Sequence, residues 1–166
     1  MSYSPKNLIV DNRISAGANV DIVPEFSATL GAAFGTYLDN NGVVVLARDY
    51  RTDSRMLKRS FAAGLMSAGV NVLDIHASST PVLRFTIRRF GASGGVMFTA
   101  GHLHEGRTTI KFYNTHGVEF GTNFLYEIFS LIENNKIIRV QTEKLGETLA
   151  REVKGSKAVS YTHLTL

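Results

Sequence analysis

Apolar positions along this chain fall into short unbroken runs and longer segments of helical spacing, and the two kinds alternate. Val43 to Ala47 is unbroken and mostly β-branched, the pattern of a strand covered on both faces. Before it, Ile22, Phe26, Leu30, Ala33, Phe34 and Tyr37 predict an amphipathic helix over 22–38, with Asp21 as its cap and Pro24-Glu25 in its first turn. Asp39-Asn40-Asn41-Gly42 ends that helix. After the strand, Leu57, Phe61, Leu65 and Ala68 mark the inward face of a second helix from about Arg55 to Ala68, capped by Asp53 or Ser54 and closed by Gly69. Val70 to Ile75 reads as the next strand, so strand, helix and strand form a βαβ unit with parallel strands.

Thr80-Pro81 opens a third helix that reaches about Phe90, with Thr80 as cap and Pro81 at the permissive first position. Gly95 to Ala100 is a further buried strand, and Thr108 to Tyr113 is another, closed by the turn Asn114-Thr115-His116-Gly117. Phe124, Ile128, Leu131 and Ile132 line one side of a fourth helix ending at Glu133. Toward the ends, Asn7 to Val10 predicts a short strand followed by turn formers from Asp11 to Gly17, Lys136 to Val140 a strand, and Glu143 to Val153 a helix. Ala158 to Leu166 fits no element of this pattern, so residues 155–166 are expected to be a tail foreign to the fold.

The 166 residues suit one domain with a single core, and the absence of cysteine excludes disulfides and suits a reducing cytoplasm. No apolar run approaches the roughly 20 residues that span a bilayer, and the first residues lack a signal-peptide core. A soluble, cytoplasmic chain with no membrane partner is expected. Eighteen basic against 14 acidic residues leave a net charge of only +4. Much of the excess sits in Arg48, Arg51, Arg55, Lys58, Arg59, Arg84, Arg88 and Arg89, without a basic run or an aromatic-interleaved stripe. That distribution argues against nucleic acid and reads as solvated helix faces, or as arginines near strand ends that hold a phosphorylated small molecule.

Candidate chemistry gathers where the run Gly94 to Ala100 opens into Gly101-His102-Leu103-His104. Sites in α/β sheets collect where strands end. His102 and His104 lack a third ligand at suitable spacing, so no metal site is expected there. Lys111 lies on a strand with no evident packing role, whereas His76 and His116 read as surface and turn residues. Arg48 and Asp49, at a strand end, are placed either to pair with each other or to orient a ligand.

The order of these motifs resembles domain I of the α-D-phosphohexomutases, the phosphomannomutase and phosphoglucomutase family. Gly94-Gly95, Thr99-Ala100, His102 and Ile110-Lys111-Phe112 are similar to the family's phosphoserine segment. Arg13 resembles the arginine of its first glycine loop, Pro24-Glu25 its first-helix opening, Arg48-Asp49-Tyr50-Arg51 its Gly-Arg-Asp-x-Arg, and Thr80-Pro81 its Pro-Thr-Pro. The resemblance implies a three-layer α/β/α fold with a mixed, largely parallel sheet over residues 1–154. It implies a phosphorylated hexose as ligand, Lys111 and His102 as acid–base groups, and Arg13, Arg48 and Arg51 as phosphate-binding residues. In the family a phosphoserine exchanges phosphate between positions 1 and 6 of the hexose. A magnesium ion held by a second-domain Asp-Gly-Asp-x-Asp-Arg motif neutralises the charge.

This chain has Gly101 where the family has that serine, Leu103-His104 in place of Asn-Pro, and none of the later-domain motifs. The expectation is therefore a domain fragment that needs no metal of its own and turns over no substrate alone, its natural partners being the remaining mutase domains. The alternative is a non-catalytic, mutase-like binding or regulatory module fused to a sugar-nucleotidyltransferase. Thr99, two positions back on an extended backbone, points to the same side as residue 101 but lies ~7 Å away, a poor substitute acceptor.

Overall fold

The β-branched run at 43–48 sits at the centre of a mixed sheet because apolar layers cover both of its faces. The computed structural model describes residues 5–100, 106–154 and 157–160, with side-chain surroundings for 7–100 and 106–149. Chain order is α1 (Pro5–Leu8), β1 (Ile9–Val10), β2 (Arg13–Gly17), α2 (Pro24–Tyr37), β3 (Val43–Arg48), α3 (Thr52–Ser67) and β4 (Asn71–Ala77). It continues with α4 (Thr80–Arg89), β5 (Gly94–Ala100), β6 (Arg107–Asn114), α5 (Thr122–Glu133), a 3-10 turn at Thr142–Lys144, β7 (Thr148–Lys154) and β8 (Lys157–Ser160). The sheet order is β1-β2-β6-β5-β3-β4-β7-β8. The central pairings of β3 with β4, β3 with β5 and β4 with β7 are parallel, and the flanking ones are antiparallel.

Strand alternation divides the core in two. Val44, Leu46, Val96, Phe98, Ile110 and Phe112 face α2, α3 and α5, whereas Val45, Ala47, Met97 and Tyr113 face α4 through Leu83 and Ile87. The Gly94-Gly95 pair has a steric reason: a Cβ on Gly94 would press on the Phe34 ring and the Tyr113 carbonyl, and one on Gly95 would strike Ile87. Both layers rest directly on β5 at this point.

Several expected details differ. The helices begin after Val23, Arg51 and Ser79, all extended, and no side chain caps them. Asp21 instead accepts from the Gly17 amide, Asp53 accepts from Thr108 Oγ1, and the Thr80 hydroxyl bonds Tyr113. Turn closure and distant partners outcompete local capping. Asn7 and Leu8 end a short helix, leaving only Ile9–Val10 in β1. Arg13 lies on a strand rather than in a loop. Residues 136–140 form no strand, because their amides bond helix ends: Ile138 N–H donates to Thr36 Oγ1 and Val140 N–H to the Ser67 carbonyl. Residues 143–153 form the 3-10 turn and β7 rather than a helix. The edge of β4 offers unpaired backbone, and Val72 pairs with Thr148 and Leu73 with Leu149, overriding helical spacing. Residues 158–160, for which the sequence suggested no element, fall in β8, antiparallel to β7.

Candidate functional site

Register brings the first two candidate residues together. Ile14 of β2 pairs with Ile110 of β6, so Arg13 and Lys111 stand one step further along the same pair of strands, on the sheet face shared with Met97 and Tyr113. The Arg13 guanidinium forks onto Glu119, with Nε 2.8 Å from Oε1 and Nη2 3.2 Å from Oε2. Burial lowers the pKa of the Lys111 ammonium, the Arg13 charge lowers it further, and the Glu119 carboxylate works the other way. Burial likewise raises the pKa of the Tyr113 phenol, and Glu119 adds to the effect. Three titratable groups thus share one small region with a charged arginine, an arrangement suited to holding an anion and moving a proton.

On this same face Thr109 lies opposite Thr99 and donates to Ser15 Oγ at 3.2 Å. Thr99 thus belongs to the row that includes Lys111.

A second group surrounds the ends of β5 and β6. Asp49 Oδ2 accepts from the Ala100 amide at 2.9 Å, and its Oδ1 accepts from the Arg51 amide at 3.1 Å. Arg51 Nη1 donates to the Arg107 carbonyl at 3.0 Å, and Nη2 pairs with Asp53 at 2.8 Å. Asp53 in turn accepts from Thr108 Oγ1 at 2.6 Å. The turn that leads into α3 therefore grips the residue before 101–106 and the residues after it. Gly101, His102 and the His102-Leu103-His104 stretch lie outside the described residues.

Arg48 is placed apart from Lys111. It alternates onto the α3 face with Leu46, is only 9% exposed, and lowers the pKa of Lys58 by its charge. Its Nη1 donates to the Asp49 carbonyl, so no ion pair joins Arg48 to the Asp49 carboxylate. Its Nε and the Ser54 Oγ are buried without a hydrogen-bond partner. Lys58 is likewise no solvated helix residue: it is 3% exposed and pairs with Asp74, which also accepts from the His76 amide. His76 and His116 are exposed, His76 at a positive φ of 57° beside the irregular register of β3 and β4. Among the described residues no three His, Asp or Glu side chains gather as metal ligands.

The sequence singled out Arg13, Lys111 and the stretch from Arg48 to Arg51 as candidates. It missed Glu119, Asp53 and Thr108 as partners, because nothing in their local spacing distinguishes them from surface residues.

Layer order, the mixed sheet and the placement of these residues define an α/β/α domain of the hexose-phosphate mutase type. The profile of the phosphoglucomutase/phosphomannomutase alpha/beta/alpha domain I matches residues 11–139, and the chain belongs to this family. It is 36% identical over 129 residues to a protein of Pyrococcus abyssi named as a probable phosphoglucosamine mutase, covering 78% of this chain and 28% of that protein. It is 31% identical over 140 residues to a phosphoglucomutase/phosphomannomutase of Thermococcus kodakarensis, covering 82% of this chain and 31% of the relative. In structure it is similar to a phosphoglucomutase/phosphomannomutase family protein of Burkholderia thailandensis, with a TM-score of 0.76 at 19% identity over 89% of this chain and 33% of that one. The chain therefore spans about a third or less of the length of these relatives.

Proposed function

We propose that this chain is the phosphate-handling domain of a longer hexose-phosphate mutase-type protein, acting in the cytoplasm, and that alone it binds a phosphorylated hexose without turning it over. The observation that supports binding is the convergence of Arg13 and Lys111 on adjacent strands. Glu119 already occupies the Nε–Nη2 edge of Arg13, so it is the charge that Arg13 and Lys111 carry together beyond that of Glu119 that favours a phosphate here. Arg51 adds a guanidinium in the turn after β3, and Arg48 braces that turn through the Asp49 carbonyl. Lys111, its proton loosened by burial, suits proton transfer at the sugar oxygen, with His102 as the second acid–base group.

Turnover needs a side-chain oxygen that takes the phosphoryl group from one position of the sugar and returns it to the other. Gly101 offers none, so the covalent intermediate cannot form. The purified chain is expected to show no interconversion of mannose 1-phosphate and mannose 6-phosphate with a bisphosphate activator present, and Gly101→Ser alone should not restore it. Inorganic phosphate should produce saturable amide shifts at Ala100, Thr108 to Lys111 and Asp49 to Ser54. Turnover by either form, or no shift up to millimolar phosphate, overturns the reading.

A further inference from the structure

We propose that Glu119 is a resident stand-in for phosphate, which neutralises the face carrying Arg13 and Lys111 while it is empty and yields the Arg13 guanidinium to an arriving anion; this rests on the phosphate site proposed above. Glu119 thereby sets how tightly that face holds phosphate. The backbone places it there. The Asn114 amide donates to the Val118 carbonyl at 2.8 Å and the Phe120 amide to the Phe112 carbonyl at 2.9 Å, which folds 118–120 back alongside β6. In that pairing Glu119 stands opposite Tyr113. Residues directly opposite share a face, and Tyr113 shares its own with Lys111 two positions earlier, so the carboxylate emerges beside the candidate cations.

There it does for Arg13 what a phosphate does. Its two oxygens meet Nε and Nη2 of the guanidinium at 2.8 and 3.2 Å, a fork that paired carboxylate or phosphate oxygens both satisfy. Lys111 feels Arg13 and Glu119 in opposite senses, so the three charges act on one another. Without the carboxylate, two half-buried cations would face each other with no counter-charge; with it, one positive charge is left over. The pair is not sealed. The Arg13 and Glu119 side chains are 33% and 27% exposed, so an anion can reach the guanidinium from solvent and the displaced carboxylate can return to water. An ion pair so exposed is weakly held, and phosphate brings up to two negative charges where the carboxylate brings one.

The test is calorimetric titration of the full chain, Glu119→Gln and Glu119→Asp with inorganic phosphate, paired with thermal unfolding with and without phosphate. Glu119→Gln keeps the shape and removes the charge, so it should bind phosphate about threefold to thirtyfold more tightly than the wild type. Without phosphate it should unfold at a lower temperature, and added phosphate should raise its midpoint further than that of the wild type. Glu119→Asp, which keeps the charge, should bind within about threefold of the wild type. A residue that merely braced Arg13 would lose affinity and stability together. Unchanged or weaker phosphate binding by Glu119→Gln, or no loss of stability without phosphate, therefore overturns the assignment and leaves the phosphate site intact. If Glu119→Gln does not fold, the wild-type Glu119 carboxyl carbon-13 resonance decides: it should shift saturably together with the Thr108 to Lys111 amides, and a fixed resonance while those amides move overturns the assignment. Binding of phosphate by none of the three proteins overturns the phosphate site, and the role of Glu119 with it.

Discussion

Lys111 is poised by three influences of different origin: burial and the Arg13 charge depress its pKa, and Glu119 raises it. Neutralising Arg13 (Arg13→Met) leaves the Glu119 carboxylate acting alone, so the Lys111 pKa should rise; Glu119→Gln should move it down. Carbon-13 titration of the lysine Cε resonances checks both directions, and equal shifts in the two variants would remove the charge coupling. The same group links stability to pH. Its folded pKa lies below its unfolded value of about 10.4, so holding it protonated costs the fold at lower pH. That cost is relieved as pH rises from the folded value through the unfolded one, and Lys111→Met should flatten the rise. Lys111 stood out in the sequence because a strand-borne lysine has no packing role. Glu119 did not, because a carboxylate after a turn is commonplace and its partner Arg13 is 106 residues away.

At the scale of elements, α2 and α3 meet backbone to backbone. A Cβ on Gly64 would fall far inside contact with the Ala28 carbonyl, and one on Gly31 would strike the Phe61 carbonyl. Gly64→Ala gains roughly 1 kcal/mol of helix propensity, but overpacking against a carbonyl that cannot move aside costs about 1–3 kcal/mol, and here the clash should win. Urea unfolding should show net destabilisation, whereas Gly121→Ala, with nothing within 4 Å and only the N-cap preference of α5 to lose, should cost less than Gly64→Ala. The contact between α3 and β4 holds a buried pair, Lys58 with Asp74. Burial lowers the Lys58 pKa and Asp74 opposes that, so Asp74→Asn leaves an ammonium without its counter-charge. A loss of about 3–5 kcal/mol is expected, with Lys58→Met/Asp74→Leu recovering most of it; a small loss in Asp74→Asn alone would show that water reaches Lys58.

At the scale of the whole molecule, the sheet collects residues from every third of the chain. β2 and β6 bring Arg13 to Lys111, while the turn after β3 grips the ends of β5 and β6. Among the described residues no helix is long and apolar enough to cross a membrane. On the function proposed above, the face that carries Arg13 and Lys111 is one wall of a larger site, and the absence of turnover by the chain alone is the outcome that this reading requires.

The sequence by itself determined the type and order of the elements from α2 to α5 and the parallel centre of the sheet. Those features follow from periodicity and turn chemistry, which act over a few residues. It also marked Lys111, Arg13 and the stretch from Arg48 to Arg51 as candidates, through motif order. Only the tertiary structure decided that Asp53 serves Thr108 rather than a helix cap, that Arg48 turns to the buried face, and that residues 148–154 add a strand to the edge of β4. A hydrogen-bonding group or strand edge takes the strongest partner within reach, and folding brings within reach residues that lie 50 or more positions apart.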